Sequence, residues 1–154
     1  MMRVQLIGER AQDRFGRRIA GCLRPPCIIY LDGDLGTGKT TLVRGVLRGL
    51  GHSGSVRSPT YTLLEPYEFN GMRLYHLDLY RLSDPEELEF LGLRDLLGAE
   101  SVLFVEWPER GTGVLPSADL EICLDYRTKG RSLELRARGP AGEQLIEALA
   151  RPAR

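Results

Sequence analysis

The stretch Gly33-Asp34-Leu35-Gly36-Thr37-Gly38-Lys39-Thr40 constrains the chain more than any other, because it satisfies the pattern GxxxxGK[ST] at every fixed position. Cys27-Ile28-Ile29-Tyr30-Leu31 precedes it, an apolar run long enough for a buried parallel strand and too short for a helix. Thr41 to Leu47 follows, with Leu42, Val43, Val46, Leu47 and Leu50 on one helical face. A glycine-rich loop between a strand and a helix N-terminus is a phosphate cradle. Gly33, Gly36 and Gly38 let main-chain amides approach phosphate oxygens, and the helix start adds unpaired N–H groups and the positive end of its dipole. Lys39 is expected to reach the β- and γ-phosphates, Thr40 to ligate Mg²⁺, and Thr41 to bond the α-phosphate. The whole loop from Gly33 to Thr41, including Asp34, Leu35 and Thr37, is therefore the expected nucleotide site.

Chance is a poor explanation of the match. With this chain's own residue frequencies, roughly 0.002 accidental matches are expected. Arg fills 19 of the 21 basic positions, yet one of only two lysines stands at the phosphate-binding position. A compact ammonium does something there that a planar guanidinium does not.

The rest of the chain completes an α/β pattern over residues 1–154, expected to be one P-loop NTPase-type three-layer domain with a mixed central sheet flanked by helices. Residues 3 to 7 read as an edge strand. Residues 9 to 23 read as a helix carrying Ala11, Phe15, Ile19, Cys22 and Leu23, stopped by Pro25 and Pro26. Thr62 to Phe69 and Met72 to Tyr80 are strand-like runs joined at Asn70-Gly71, a strong hairpin signal. Ser83-Asp84-Pro85-Glu86-Glu87 has the chemistry of a helix start, and residues 91 to 100 that of a Gly-punctuated connector or short helix. Leu120 to Leu124 and Leu133 to Arg138 form a second hairpin, and residues 141 to 150 an amphipathic helix.

Three further positions point to chemistry. Thr60, in Ser58-Pro59-Thr60-Tyr61-Thr62, stands after the first P-loop helix and before the next strand, where a switch segment brings a hydroxyl to the γ-phosphate and metal; the same triplet also suits the simple opening of a strand. Asp78 interrupts a strand-like run, and a carboxylate there needs a partner or a metal. Val102-Leu103-Phe104-Val105-Glu106 is an apolar strand ending in an acid, the form of a Walker B motif with Glu in the usual place of Asp. Glu106 is placed to bind Mg²⁺, directly or through water, or to orient the attacking water. Trp107 is expected beside the nucleotide or at a partner surface. His76, with no second histidine at metal spacing, reads as a packed or surface residue.

Composition excludes several classes. Net charge is zero and the arginines are scattered, so bulk electrostatics point to neither nucleic acid nor membrane. Three cysteines without CxxC spacing argue against a disulfide framework or zinc site. No secretory signal pattern or transmembrane run is visible, so a soluble, cytoplasmic protein is expected.

Taken together, residues 33 to 41, Ser-Pro-Thr-Tyr-Thr-Leu at 58 to 63, His-Leu-Asp-Leu-Tyr-Arg at 76 to 81 and Val-Glu-Trp-Pro at 105 to 108 resemble, in order and spacing, the TsaE (YjeE) family. The resemblance covers nearly the whole chain. It implies a bacterial ATPase required for threonylcarbamoylation of adenosine 37 in tRNAs that read codons beginning with A, working with the TsaD–TsaB heterodimer. In that scheme ATP hydrolysis resets the modifying enzyme, and tRNA is met indirectly through the complex. By motif match, Gly36 to Thr41 bind the phosphates, Thr40 and Glu106 hold Mg²⁺, Thr60 lies on the first switch, and Asp78 supports metal or water. Arg131 matches a late Gly-Arg near the nucleotide. Many members carry a Thr near the start of the first helix that approaches the base; this chain has Gln12. Two other readings share the P-loop: a small-molecule kinase, which needs an acceptor pocket and an Arg-bearing lid that the sequence does not display, and a nucleotide-gated scaffold with incidental hydrolysis.

Overall fold

The structure is a computed structural model that describes residues 1–151. Its strands, β1 (Met2–Leu6), β2 (Cys27–Asp32), β3 (Leu64–Phe69), β4 (Met72–Asp78), β5 (Ser101–Glu106), β6 (Leu120–Tyr126) and β7 (Arg131–Ala137), form one sheet in the order β1-β7-β6-β2-β5-β4-β3. The centre is parallel, β4, β5, β2 and β6 running together; the β3–β4 hairpin closes one edge antiparallel, and the β6–β7 hairpin with β1 antiparallel to β7 closes the other. This is the expected mixed α/β sheet. Every residue of β5 is buried, and its middle, Val102 to Val105, is accordingly continuously apolar rather than alternating.

Helices α1 (Glu9–Cys22), α2 (Lys39–Gly49) and α5 (Pro140–Ala150) cover one face. Phe15, Ile19, Leu42, Val46 and Leu145 pack there on Ile29, Phe104 and Ile122. Helices α1 and α2 touch backbone to backbone: a methyl group added at Gly16 would lie 2.5 Å from the Leu42 carbonyl oxygen. That close crossing sets the N-terminus of α2 beside Gln12. The opposite face is covered differently. Leu77, Leu79, Leu103 and Val105 pack under Leu82 from the loop after β4 and under Leu88 and Leu93, carried by two four-residue helices, α3 (Glu87–Phe90) and α4 (Leu93–Leu96). Gly92 separates these helices in a left-handed conformation, with φ 74°, so the run that opens at Ser83 stays one turn long. Its acidic residues do serve as caps: Glu87 accepts from the Ser83 and Asp84 amides, and Asp84 from the Glu86 amide.

The first hairpin is shorter than its sequence suggests. Residues 59 to 62 are turned, Leu63 has φ 67°, and β3 begins only at Leu64. Strand β4 ends on Asp78, so Leu79 and Tyr80 already belong to the loop. Both changes leave Thr60 in a loop and Asp78 on the last residue of its strand, at the same end of the sheet as the P-loop. No helix among the described residues is long and apolar enough to cross a membrane.

Candidate functional site

Loop 33–38 leaves the carboxyl end of β2 and enters α2 at Lys39. Gly38 caps the helix with φ 103°, a conformation that favours glycine, and a side chain there would also displace the Gln12 amide. Gly33 lies where an added methyl would sit 2.7 Å from the Leu124 carbonyl oxygen. The first intrahelical bond runs from Leu42 N to Gly38 O at 2.9 Å, which leaves the amides of Lys39, Thr40 and Thr41 free for a ligand. Side chains from elsewhere brace the loop. Thr37 is buried and its hydroxyl bonds Asp34 O at 2.8 Å. Its carbonyl accepts from Gln12 Nε2 at 2.8 Å and from Arg131 Nε at 3.2 Å. Arg131 also reaches Gly36 O at 3.4 Å, while its guanidinium lies 4.2 Å from the centre of the Tyr126 ring. Tyr126 in turn donates to Leu35 O at 2.8 Å. Arg131 therefore stands at the loop, and Gln12 is a strut beneath it.

Opposite the loop, the ends of β4 and β5 place Asp78 and Glu106 side by side in register. Both are buried. Glu106 Oε2 accepts from Thr40 Oγ1 at 3.3 Å, which joins the strand-tip acid to the P-loop threonine. Asp78 accepts from Tyr80 N at 3.0 Å and from Thr60 Oγ1 at 3.5 Å. Burial raises the Asp78 carboxyl above its ordinary range, the Tyr80 amide opposes this, and the neighbouring Glu106 carboxylate adds to the rise. Two buried acids on adjacent strand tips call for a cation.

Lys39 is buried too. Its Nζ donates to Gly33 O at 2.6 Å and lies 3.8 Å from the centre of the Trp107 ring. Burial lowers its pKa against the opposing pull of Glu106, Asp78, Asp32 and Glu109. Trp107 adopts φ 57°, a left-handed conformation unusual for a bulky residue, and so turns its ring back over the lysine.

His76 is packed, one of the two places the sequence left open for it, but its partner was not visible there. It is wholly buried on β4, two residues before Asp78 and in register with Phe104, and its Nε2 lies 2.5 Å from Glu106 Oε2. Its Nδ1 has no partner among the described residues. A proton on Nδ1 would be a buried, unsatisfied donor, so the proton belongs on Nε2 and the imidazole donates to Glu106. The signal was its place on the Asp78 face of the strand, legible only once β4 and β5 are paired.

Two cavities flank the loop and share Gly36, Gly38 and Thr41 as a saddle. One, of about 470 Å³, is lined by Lys39, Thr40, Thr60, Asp78, Arg81 and Glu106 among others; the second, of about 320 Å³, by Gly8, Glu9, Gln12, Gly130 and Arg131. Among the described residues no three His, Cys, Asp or Glu side chains form a metal cage. The donor set of Thr40, Glu106 and Asp78 instead suits Mg²⁺, which takes a hydroxyl, one or two carboxylates and phosphate oxygens.

Residues 7–133 match the family model described as "Threonylcarbamoyl adenosine biosynthesis protein TsaE". The chain is 49% identical over 145 residues to a tRNA threonylcarbamoyladenosine biosynthesis protein TsaE of Haemophilus influenzae, covering 91% of this chain and 92% of that one. It is 37% identical over 133 residues to the protein of the same name in Bacillus subtilis, covering 86% and 83%. Its fold is similar to the crystal structure of Bacillus subtilis YdiB, with a TM-score of 0.82, 28% identity and coverage of 97% of this chain and 93% of that chain.

Proposed function

The chain belongs to the TsaE family and so takes part in tRNA threonylcarbamoyladenosine biosynthesis; from that premise we propose that it is a cytoplasmic, Mg²⁺-dependent ATPase acting with the TsaD–TsaB heterodimer. In this reading its hydrolysis of ATP resets the complex between rounds of threonylcarbamoylation at adenosine 37, and tRNA is met through the partners. The observation that carries the ATPase reading is the meeting of Lys39 and Thr40 with Glu106 and Asp78 in one cavity at the carboxyl ends of β2, β4 and β5.

ATP would lie across the saddle, its phosphates over the free amides of residues 39 to 41 and its nucleoside toward Gln12 and Arg131. Lys39 would exchange the Gly33 carbonyl for phosphate oxygens, an exchange favoured because burial already weighs against an ammonium left without a strong anion. Mg²⁺, when bound, supplies charge neutralisation at the β- and γ-phosphates. Glu106, held by the His76 imidazole, keeps one oxygen toward Thr40 and orients water or metal with the other. Asp78 and Thr60 complete the far wall. Amide donors and Lys39 then stabilise charge as water attacks the γ-phosphorus in line. Turnover is expected to be slow alone and faster with TsaD–TsaB.

Reconstitution with TsaD, TsaB and substrate tRNA, measuring ATP hydrolysis and modified tRNA together, tests this reading. Glu106→Ala is expected to lose hydrolysis and sustained modification together. Modification that continues at the parent rate while hydrolysis is lost would point to the scaffold instead, and hydrolysis rates unchanged by the partners would break the link to the complex.

A further inference from the structure

Among the described residues, Arg81 is the one cation besides Lys39 that lines the phosphate-side cavity. It follows Asp78 by three residues, is exposed, and among the described residues makes no ion pair with a carboxylate. Its guanidinium instead lies 4.4 Å from the centre of the Tyr61 ring and donates to the Tyr61 hydroxyl at 3.4 Å. Tyr61 is 81% exposed and immediately follows Thr60, whose hydroxyl bonds Asp78 at 3.5 Å. The two loops thus touch twice, Thr60 on Asp78 and Tyr61 under Arg81. A movement of Thr60 toward a bound nucleotide must carry its neighbour Tyr61 along, and so must disturb the perch on which the guanidinium rests.

From this geometry we propose that Arg81 is a catalytic arginine, held off the γ-phosphate by stacking on Tyr61 and released when the Thr60 segment moves. The inference rests on the ATPase reading above. Asp78 and Glu106 already bring negative charge to the cavity, and the triphosphate adds more. Lys39 alone faces that charge on the protein side. As water attacks the γ-phosphorus, the bond from that phosphorus to the β–γ bridging oxygen breaks, its electron pair leaves on ADP, and the water proton passes to the phosphate product. Charge on the transferring oxygens and the leaving oxygen needs a planar donor of fixed charge, the role in which a guanidinium exceeds an ammonium. On Tyr61 it is kept intact and within the cavity wall, but idle.

The test compares the wild-type protein with Arg81→Ala, Arg81→Lys and Tyr61→Ala in Mg²⁺. It measures steady-state hydrolysis, affinity for a non-hydrolysable ATP analogue, and affinity for ADP with aluminium fluoride, which mimics the transferring phosphoryl group. Arg110→Ala is the control, an arginine stacked on Tyr80 that does not line the cavity. Arg81→Ala is expected to lower kcat about 10²-fold or more, to weaken the ADP–aluminium fluoride complex, and to leave ATP-analogue affinity within about threefold. Arg81→Lys should recover part of both losses, and Tyr61→Ala should raise kcat. An active wild type whose kcat and fluoride complex are indifferent to Arg81→Ala overturns the role of Arg81 alone. A wild type that neither binds nor splits ATP overturns the ATPase reading with it.

Discussion

Phe104 and Glu106 stand two residues apart on β5, pointing to the same side of the sheet, and are 0% and 3% exposed. Phe104 is surrounded by α1, α2 and their apolar neighbours, and its burial is the ordinary hydrophobic stabilisation of a sheet under helices. Glu106 is buried among His76, Thr40 and Asp78, where desolvation works against the fold unless a cation or ligand answers it. One end of the strand stabilises the molecule; the other stores a cost that only function explains. The substitutions below separate the two ends.

Phe104→Ala should have the largest effect on stability, a loss of about 3–5 kcal/mol from the cavity it leaves, read by urea unfolding. At temperatures where the variant stays folded its ATP affinity should be near that of the parent. Lys39→Ala should reverse this pattern, lowering hydrolysis about 10²- to 10³-fold, the loss typical of a transition-state donor, with an unfolding midpoint at or above the parent's. A Lys39→Ala protein that unfolds early yet hydrolyses normally would erase the distinction between the two ends.

His76→Leu should reduce the Mg²⁺-dependent part of nucleotide affinity about tenfold, since it leaves Glu106 unheld, whereas His76→Gln, which keeps a donor, should retain most of it. Equal losses in both variants would mean that His76 only fills space. Asp78→Asn sharpens the contrast through pH. The Asp78 pKa is raised in the fold, so its ionised form is disfavoured there relative to the unfolded chain. Without nucleotide or metal, the variant should be more stable than the parent by about 1 kcal/mol above the folded pKa. The gap should close as pH falls from that pKa toward the unfolded value, because the folded parent then takes up its proton; thermal melts across that range check it. Smallest is the effect expected at Cys27, whose thiol burial pushes up to about 12. Thiol reagents at pH 8 should leave it unmodified in the native protein.

Much of this was open to a reader of the sequence. The P-loop, the β5 acid and Asp78 carry local signals, because a cradle needs glycines and a buried strand should not otherwise end on a carboxylate. The Asn70-Gly71 turn gives itself away in the same manner. The contacts of Gln12 and His76 do not, since each bonds a residue far away in the chain, and the 76 to 81 block that holds His76 shows a resemblance without showing that contact. Gln12 reaches Thr37 only because Gly16 lets α1 and α2 touch, and His76 reaches Glu106 only because β4 and β5 pair in that register. The thin second layer was hidden for a related reason: Ser83 to Glu87 looks like any helix start, and what stops the helix, Gly92 at positive φ, is a backbone conformation rather than a pattern.

The most direct test of a nucleotide site built from buried charge is a calorimetric titration of ATP into the wild-type protein and Lys39→Ala, each with and without Mg²⁺. Saturable binding that Mg²⁺ tightens in the wild type, and that Lys39→Ala loses while remaining folded, is the expected result. Equal binding by the two proteins, or none by the wild type, would contradict it.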